Sequence, residues 1–314
     1  MQIDNPKVAK VGSYIDVPPA KPAEATVFVA ASDARSEVKK MADLVCKGAH
    51  DETTIQKAID MLPSSGGTVK LSEGTFIIDA HNIILRSNIA IEGSGFGTLL
   101  KPSGDYYPLE VGDGSTTLTK IKIANLAIDM SNTEARNGVR FYGRSDHRIT
   151  NVVVTNVYVY NSRYTSIFAY YVSNGLFQGN IIDTTRYLVG IGLYYCENCT
   201  IVGNTMYNTN IEGICLGRSN NCTVVGNTVD TVVDGKYGGI RGYYGENNTI
   251  TGNTIRNCSP WSMTLRGSKN YVVSSNVGDN PICVHDTENT FLIGNIPSQV
   301  ITTGSVSVAC FNLG

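Results

Sequence analysis

Three stretches, ENCTIVGNT (residues 197–205), NNCTVVGNT (220–228) and ENNTITGNT (246–254), repeat one polar phrase around two asparagines. Aligned on the second asparagine, the repeat extends over Asn180, Asn204, Asn227, Asn253, Asn276 and Asn295. Six residues before each stands a partner: Asn174, Asn198, Asn221, Asn247, Asn270 and Asn289. Successive repeats are 24, 23, 26, 23 and 19 residues apart, a period at which self-similarity signals a solenoid. Three residues ahead of the second asparagine runs an apolar column of Phe177, Ile201, Val224, Ile250, Val273 and Leu292. Strands of successive turns paired in parallel place equivalent residues about 4.8 Å apart, so this column predicts a continuous internal stack. Asparagine takes left-handed turn angles readily, and its amide can bond to the same amide one turn away. The phrase therefore reads as skeleton, and the sequons it creates at Asn198, Asn221, Asn247 and Asn257 read as structural.

Towards the N-terminus the pattern changes. Residues 1–25 hold four of the ten prolines and little apolar pattern, which reads as a flexible arm. Residues 26–80 read as a cap: TVFVAASDARSEVKKMADLVCKG predicts a short strand and a helix. Asp51 as N-cap, with Ile55, Ala58, Ile59 and Leu62 on one stripe before Pro63, predicts a second, amphipathic helix. From GGTVKLSEGTFII onward the period switches to two, and residues 81–314 read as nine or ten rungs. An open solenoid end exposes apolar core and unpaired edge groups, so the helix after Asp51 is expected to plug it.

Composition narrows the partners. Charged residues make up 17% of the chain and the net charge is −2, which excludes the basic surface a nucleic-acid backbone demands. No apolar run approaches the roughly 18 residues of a membrane span. The start, MQIDNPKVAK, lacks the apolar core of a secretory signal, so either a leader was removed or none was needed. Cys196 and Cys199 form a lone CxxC without histidine at ligand spacing, and they read as packing residues.

The stretches DETTIQKAIDMLPSSGGTVKLSEGTFII and IILRSNIAIEGSGFGTLL, followed by the GN-T rungs, resemble the pectate-lyase-like superfamily of right-handed parallel β-helices. The likeness spans roughly residues 40–310. It implies an all-β, right-handed parallel β-helix solenoid with an N-terminal capping helix. The superfamily holds polysaccharide lyases, glycoside hydrolases, uronan epimerases, viral tail spikes and non-enzymatic surface proteins, so fold alone names no activity. The motifs NTDG, GHG, WIDH and DPH, which mark particular enzymes among them, are absent from this chain.

Alternation along each rung points to a working face. In IGLYY, Ile191 and Leu193 should point inward, leaving Gly192 and Tyr194 outward. The same register predicts an outward column of Tyr170, Tyr194, Gly217, Tyr243, Arg266 and His285, ten residues before each repeat asparagine. Beside it run Phe168, Gly192, Cys215, Arg241, Thr264 and Cys283. The resemblance implies that this sheet floors a glycan groove, and the residue types agree. Aromatic faces offer apolar area with a polar tip, and arginine forks bind carboxylates. The candidate substrate-binding residues are Arg140, Tyr142, Phe168, Tyr170, Tyr194 and Arg218, and the expected ligand is an acidic polysaccharide. Tyrosine also favours strands, so stacking between rungs could account for part of the column.

Two chemistries fit. In β-elimination or C5 epimerisation, Arg241 or Arg266 would neutralise the uronate while Tyr243 and His285 carry protons. Asp286 follows His285, but strand neighbours point to opposite faces, which argues against a relay between them. In hydrolysis, two of Asp183, Glu212 and Asp234 would serve as acid and base. The same carboxylates could hold Ca²⁺, although no dense acidic cluster demands a metal and no cofactor is expected. A non-catalytic surface or tail-spike protein is the alternative. Location is expected to be extracellular or on a virion, as a monomer or homotrimer.

Overall fold

The computed structural model describes residues 25–296 and 299–311. The expected arm, apart from Ala25, lies outside them. The chain is a right-handed parallel β-helix with two long sheets, one of ten strands and one of twenty. Each turn contributes one strand to the smaller sheet and up to two to the larger. Parallel pairing already runs from Thr26, where strand Thr26–Ala30 pairs with Gly67–Leu71, which in turn pairs with Ile89–Glu92.

Register follows the repeat. Phe177, Ile201, Val224, Ile250, Val273 and Leu292 are successive Cα partners and all are buried. On the smaller sheet Ile191, Ile214, Ile240, Met263 and Ile282 stack likewise. Every rung thus removes the same kind of apolar area from water, and the core is a set of columns along the coil axis.

The two asparagine columns do different work. Asn174, Asn198, Asn221, Asn247, Asn270 and Asn289 all have φ between 50° and 56°; they turn the chain in the left-handed region that asparagine tolerates. The second column is interior. Asn180, Asn204, Asn227, Asn253 and Asn276 each donate Nδ2 to the Oδ1 of the next member at 2.8–2.9 Å. The same Oδ1 accepts the backbone N–H of the residue one rung earlier, and each Nδ2 also bonds a carbonyl there. Both amide groups are satisfied in a buried ladder, so polarity costs nothing there.

The cap departs from expectation at its first residue. His50, not Asp51, is the N-cap of helix Asp51–Met61, in a left-handed conformation (φ 51°). Asp51 is fully buried, and its carboxylate accepts the backbone N–H groups of Lys47 (3.0 Å), Gly48 (2.9 Å) and Ile77 (3.0 Å). It therefore ties the preceding loop and the first rung to the helix. Ile55, Ala58 and Ile59 are buried against the coil end, and Leu62 packs there from just past the helix.

Cys196, Cys199 and Cys222 are free and buried, with thiols against the carbonyls of Ala169, Glu197 and Asn220. They behave as small core residues. One tyrosine is also interior. A Cβ on Gly242 would stand 2.8 Å from the Tyr271 ring, which fills that space, its hydroxyl accepting from Asn248 at 2.9 Å. No helix among the described residues is long and apolar enough to cross a membrane.

Candidate functional site

The outer face of the ten-stranded sheet carries both expected columns in register. Tyr142, Tyr170, Tyr194, Gly217, Tyr243, Arg266 and His285 are successive partners. So are Arg140, Phe168, Gly192, Cys215, Arg241, Thr264 and Cys283. Their side chains divide the face into two clefts with a low saddle between them.

The N-terminal cleft, about 530 Å³, is lined chiefly by aromatic rings: Tyr107, Tyr142, Tyr164, Phe168, Tyr170 and Tyr194. Tyr142 and Tyr170 stack at 5.4 Å with an 11° interplanar angle. Arg140 sits over Tyr142 (4.3 Å) and Tyr107 (5.0 Å) and is ion-paired to Glu110 on the preceding rung. Its charge is already neutralised, so its contribution to the cleft is a rigid flat surface.

At the saddle, Gly192 and Gly217 leave room that the tyrosines occupy. A Cβ on Gly217 would lie 2.6 Å from the Tyr243 hydroxyl and 2.7 Å from Tyr194 Cδ1. Both rings therefore recline on the sheet instead of standing as a row. Burial holds the Tyr194 phenol far above its ordinary range, and burial first, then the nearby Cys215 thiol, push Tyr243 up to about 12. Near neutral pH both phenols keep their protons and can donate but not accept them.

The C-terminal cleft, about 360 Å³, places Lys236, Arg241, Arg266 and His285 beside Tyr237 and Trp261. Glu212, its side chain only 3% exposed, meets Arg241 Nη1 at 3.1 Å across one rung. Arg241 is wedged between the rings of Tyr237 (3.6 Å) and Tyr243 (4.4 Å), and its Nε is buried without a partner. Burial raises the Glu212 carboxyl to about 7, outweighing the opposing pull of Arg241. Arg266 is exposed and makes no ion pair among the described residues. His285 bonds Thr303 through Nδ1 (2.7 Å) and Asp286 through Nε2 (2.8 Å).

A family model described as periplasmic copper-binding protein (NosD) matches residues 110–295. The chain belongs to the NosD family. No curated protein sequence matches it. Solved structures share the fold at low identity. The A-module of a mannuronan C-5 epimerase from Azotobacter vinelandii is 15% identical with a TM-score of 0.53, covering 85% of this chain and 97% of that one. A polygalacturonase from Erwinia carotovora is 12% identical with a TM-score of 0.55, covering 98% and 99%. An E. coli bacteriophage tailspike protein is 15% identical with a TM-score of 0.55, covering 83% and 61%.

The family description raises the question of copper, which favours thiolate, thioether and imidazole donors. In the matched rungs of this NosD-family chain, Cys196, Cys199 and Cys222 are sealed in the core and already bonded to carbonyls. Met130, Met206 and Met263 are equally buried. Among the described residues the one three-donor group is His50, Glu52 and Asp79, which lies in the cap, outside the matched segment. Cys283 and His285 share the C-terminal cleft, but no third sulfur or imidazole donor lines it among the described residues, so the matched rungs do not fit a copper centre.

Several expectations need correction. Asp183 belongs to the twenty-stranded sheet, where it bonds Tyr158, Thr184 and Asn208. Asp234 is exposed in a turn, and Glu212 is buried against Arg241. The three carboxylates do not converge, so neither a hydrolytic pair nor a Ca²⁺ cluster forms among them. Arg241, expected as a free cation, is paired with Glu212, whereas Arg266 makes no ion pair among the described residues. His285 and Asp286 do meet, because Asp286 is left-handed (φ 49°) at the end of the strand, which breaks the alternation rule. Arg218 projects from the corner beyond the column, flanked by Tyr195 and Tyr244. Tyr107, Glu110, Tyr237 and Trp261 also line or support the clefts and carry no repeat signal, because they sit in turns or on early rungs outside the repeat. The corner tyrosines left a signal in three YY doublets, 170–171, 194–195 and 243–244, at one register.

Proposed function

We propose that the protein binds an acidic polysaccharide along the outer face of the ten-stranded sheet and acts on it by proton transfer at C5. That chemistry is common to β-elimination and C5 epimerisation. The observation that carries the reading is the pairing of two clefts on one face, an aromatic floor followed by Lys236 and Arg266, which have no carboxylate partner among the described residues. Sugars would stack on Tyr142, Phe168 and Tyr170 while Arg266 and Lys236 neutralise a uronate. Neutralisation lowers the cost of removing the C5 proton. His285 would take that proton once the Thr303 hydroxyl turns from Nδ1, with Asp286 holding the imidazolium. Tyr243 lies two rungs from His285 with its hydroxyl turned towards Gly217, so a water molecule would give the proton to the leaving oxygen in elimination, or to the opposite face of C5 in epimerisation. A location outside the cytoplasm fits the periplasmic description of the family.

Mixing the protein with polymannuronate and polygalacturonate tests the proposal. Ultraviolet-absorbing unsaturated ends mark elimination, and deuterium uptake at C5 without them marks epimerisation. Reducing ends without unsaturation would point to hydrolysis and sink the proton-transfer assignment. Tyr170→Ala is expected to weaken polysaccharide binding about tenfold by removing one stacking face, measurable by calorimetry. His285→Ala should abolish turnover while leaving binding within about twofold.

The second reading is a non-catalytic attachment protein. It is favoured by the locked pairs Arg140–Glu110 and Arg241–Glu212. Tight binding without turnover, by a trimer in sedimentation, would decide for it.

A further inference from the structure

Nine residues before each repeat asparagine, every rung from Tyr171 onward turns through the left-handed region: Tyr171 (φ 54°), Tyr195 (56°), Arg218 (50°), Tyr244 (54°), Gly267 (56°) and Asp286 (49°). At the neighbouring corner the same backbone demand is met on every rung by asparagine, from Asn174 to Asn289. Tyrosine and arginine are poor residues for this conformation, where glycine and asparagine are the low-strain choices. Four successive rungs therefore carry strain that local backbone preference would remove. Strain retained in one place points to a side-chain role.

Those side chains form a ridge beside the groove. Tyr171 and Tyr195 stack at 4.9 Å with a 17° interplanar angle. Arg218 continues the stack, 5.7 Å from the Tyr195 ring and 5.4 Å from the Tyr244 ring. Tyr244 then leans over Gly267, where a Cβ would stand 2.4 Å from its ring. Edge-on contacts of Tyr170 with Tyr171 and Tyr195 join the ridge to the aromatic cleft. Arg148, at the start of the ridge, is committed to Ser173, the Tyr195 carbonyl and Glu197. The Arg218 side chain is exposed and has neither a hydrogen bond nor an ion pair among the described residues. Its guanidinium lies between two rings, with side-chain N–H groups that no acceptor among the described residues takes up. That geometry matches a planar carboxylate.

We propose that this ridge is a second recognition site for a carboxylated sugar, the acid group held by Arg218 and the sugar hydroxyls met by Tyr195 and Tyr244. The inference rests on the acidic-polysaccharide reading and adds a position outside the groove for the next stretch of the same chain. A ladder that served only to hold rungs together would need no unpaired cation at its centre.

The test uses the full chain and measures both affinity for oligouronates, with neutral cello-oligosaccharides as control, and melting temperature. The variants are Arg218→Asn, the double change Tyr195→Asn with Tyr244→Asn, and Tyr170→Ala as the groove control. Because asparagine suits the left-handed corner, the ridge variants should melt at or above the wild-type temperature. They should bind oligouronates at least tenfold more weakly, with no change for the neutral sugars. Wild-type affinity in the ridge variants, alongside loss in Tyr170→Ala, overturns the ridge and leaves the groove standing. A fall in melting temperature that tracks the loss of binding assigns the ladder to structure and also overturns it. A wild-type protein that binds no oligouronate removes both readings.

Discussion

Asn227→Ala is expected to destabilise the protein by about 4 kcal/mol, read from urea unfolding. The side chain lies mid-ladder. Its Oδ1 accepts both the backbone N–H and Nδ2 of Asn204, and its Nδ2 bonds the carbonyls of Ile201 and Val225 and the Oδ1 of Asn253. Alanine leaves several buried donors and acceptors without partners, each costing about 1–3 kcal/mol before relaxation. The contrasting substitution is Asn221→Ala, on the exposed turn column six residues earlier. It forfeits chiefly the left-handed preference, about 1 kcal/mol. Equal losses at the two positions would show that the interior ladder is not what holds the rungs.

Arg241→Ala is expected to cost about 3 kcal/mol at pH 8 and markedly less at pH 5, measured by unfolding at both. In the folded wild-type protein Glu212 holds its proton to about pH 7, against 4.5 for an ordinary glutamate. Because this folded value is raised, stability from Glu212 is greatest below about pH 4.5 and declines as pH rises towards 7, then levels off. At pH 5 the carboxyl is neutral with or without arginine, so removing Arg241 breaks only a hydrogen bond and ring contacts. At pH 8 the wild-type pair is ionised, and the variant must bury an unpaired carboxylate or keep it protonated. A cost independent of pH would mean that Glu212 is not the group Arg241 supports.

Both predictions concern polar groups that the sequence displayed unequally. The ladder was readable because six asparagines recur at fixed spacing, and a recurring polar residue beside an apolar column has few roles in a coil. Which of the two columns was interior was not readable. That depends on which one follows the left-handed glycine at residues such as Gly179 and Gly203, and so points inward. The Glu212–Arg241 pair escaped notice because its members are 29 residues apart in chain and touch only across a rung. Asp51 looked like an N-cap because it precedes the apolar stripe. The backbone instead enters the helix through His50, freeing Asp51 to gather three amides.

By itself the sequence determined the coil, its register and the side of each strand from which a side chain leaves. These follow from period-two alternation and rung length, which are local properties repeated until they reinforce one another. Tertiary structure alone decided which charges are free. Arg140 and Arg241 meet carboxyl groups one rung away, Arg266 and Arg218 meet none among the described residues, and Asp183 lies on the other sheet. The reason is physical. Alternation fixes the side of the sheet from which a side chain leaves, whereas the meeting of its tip with another depends on rung-to-rung stacking and turn angles.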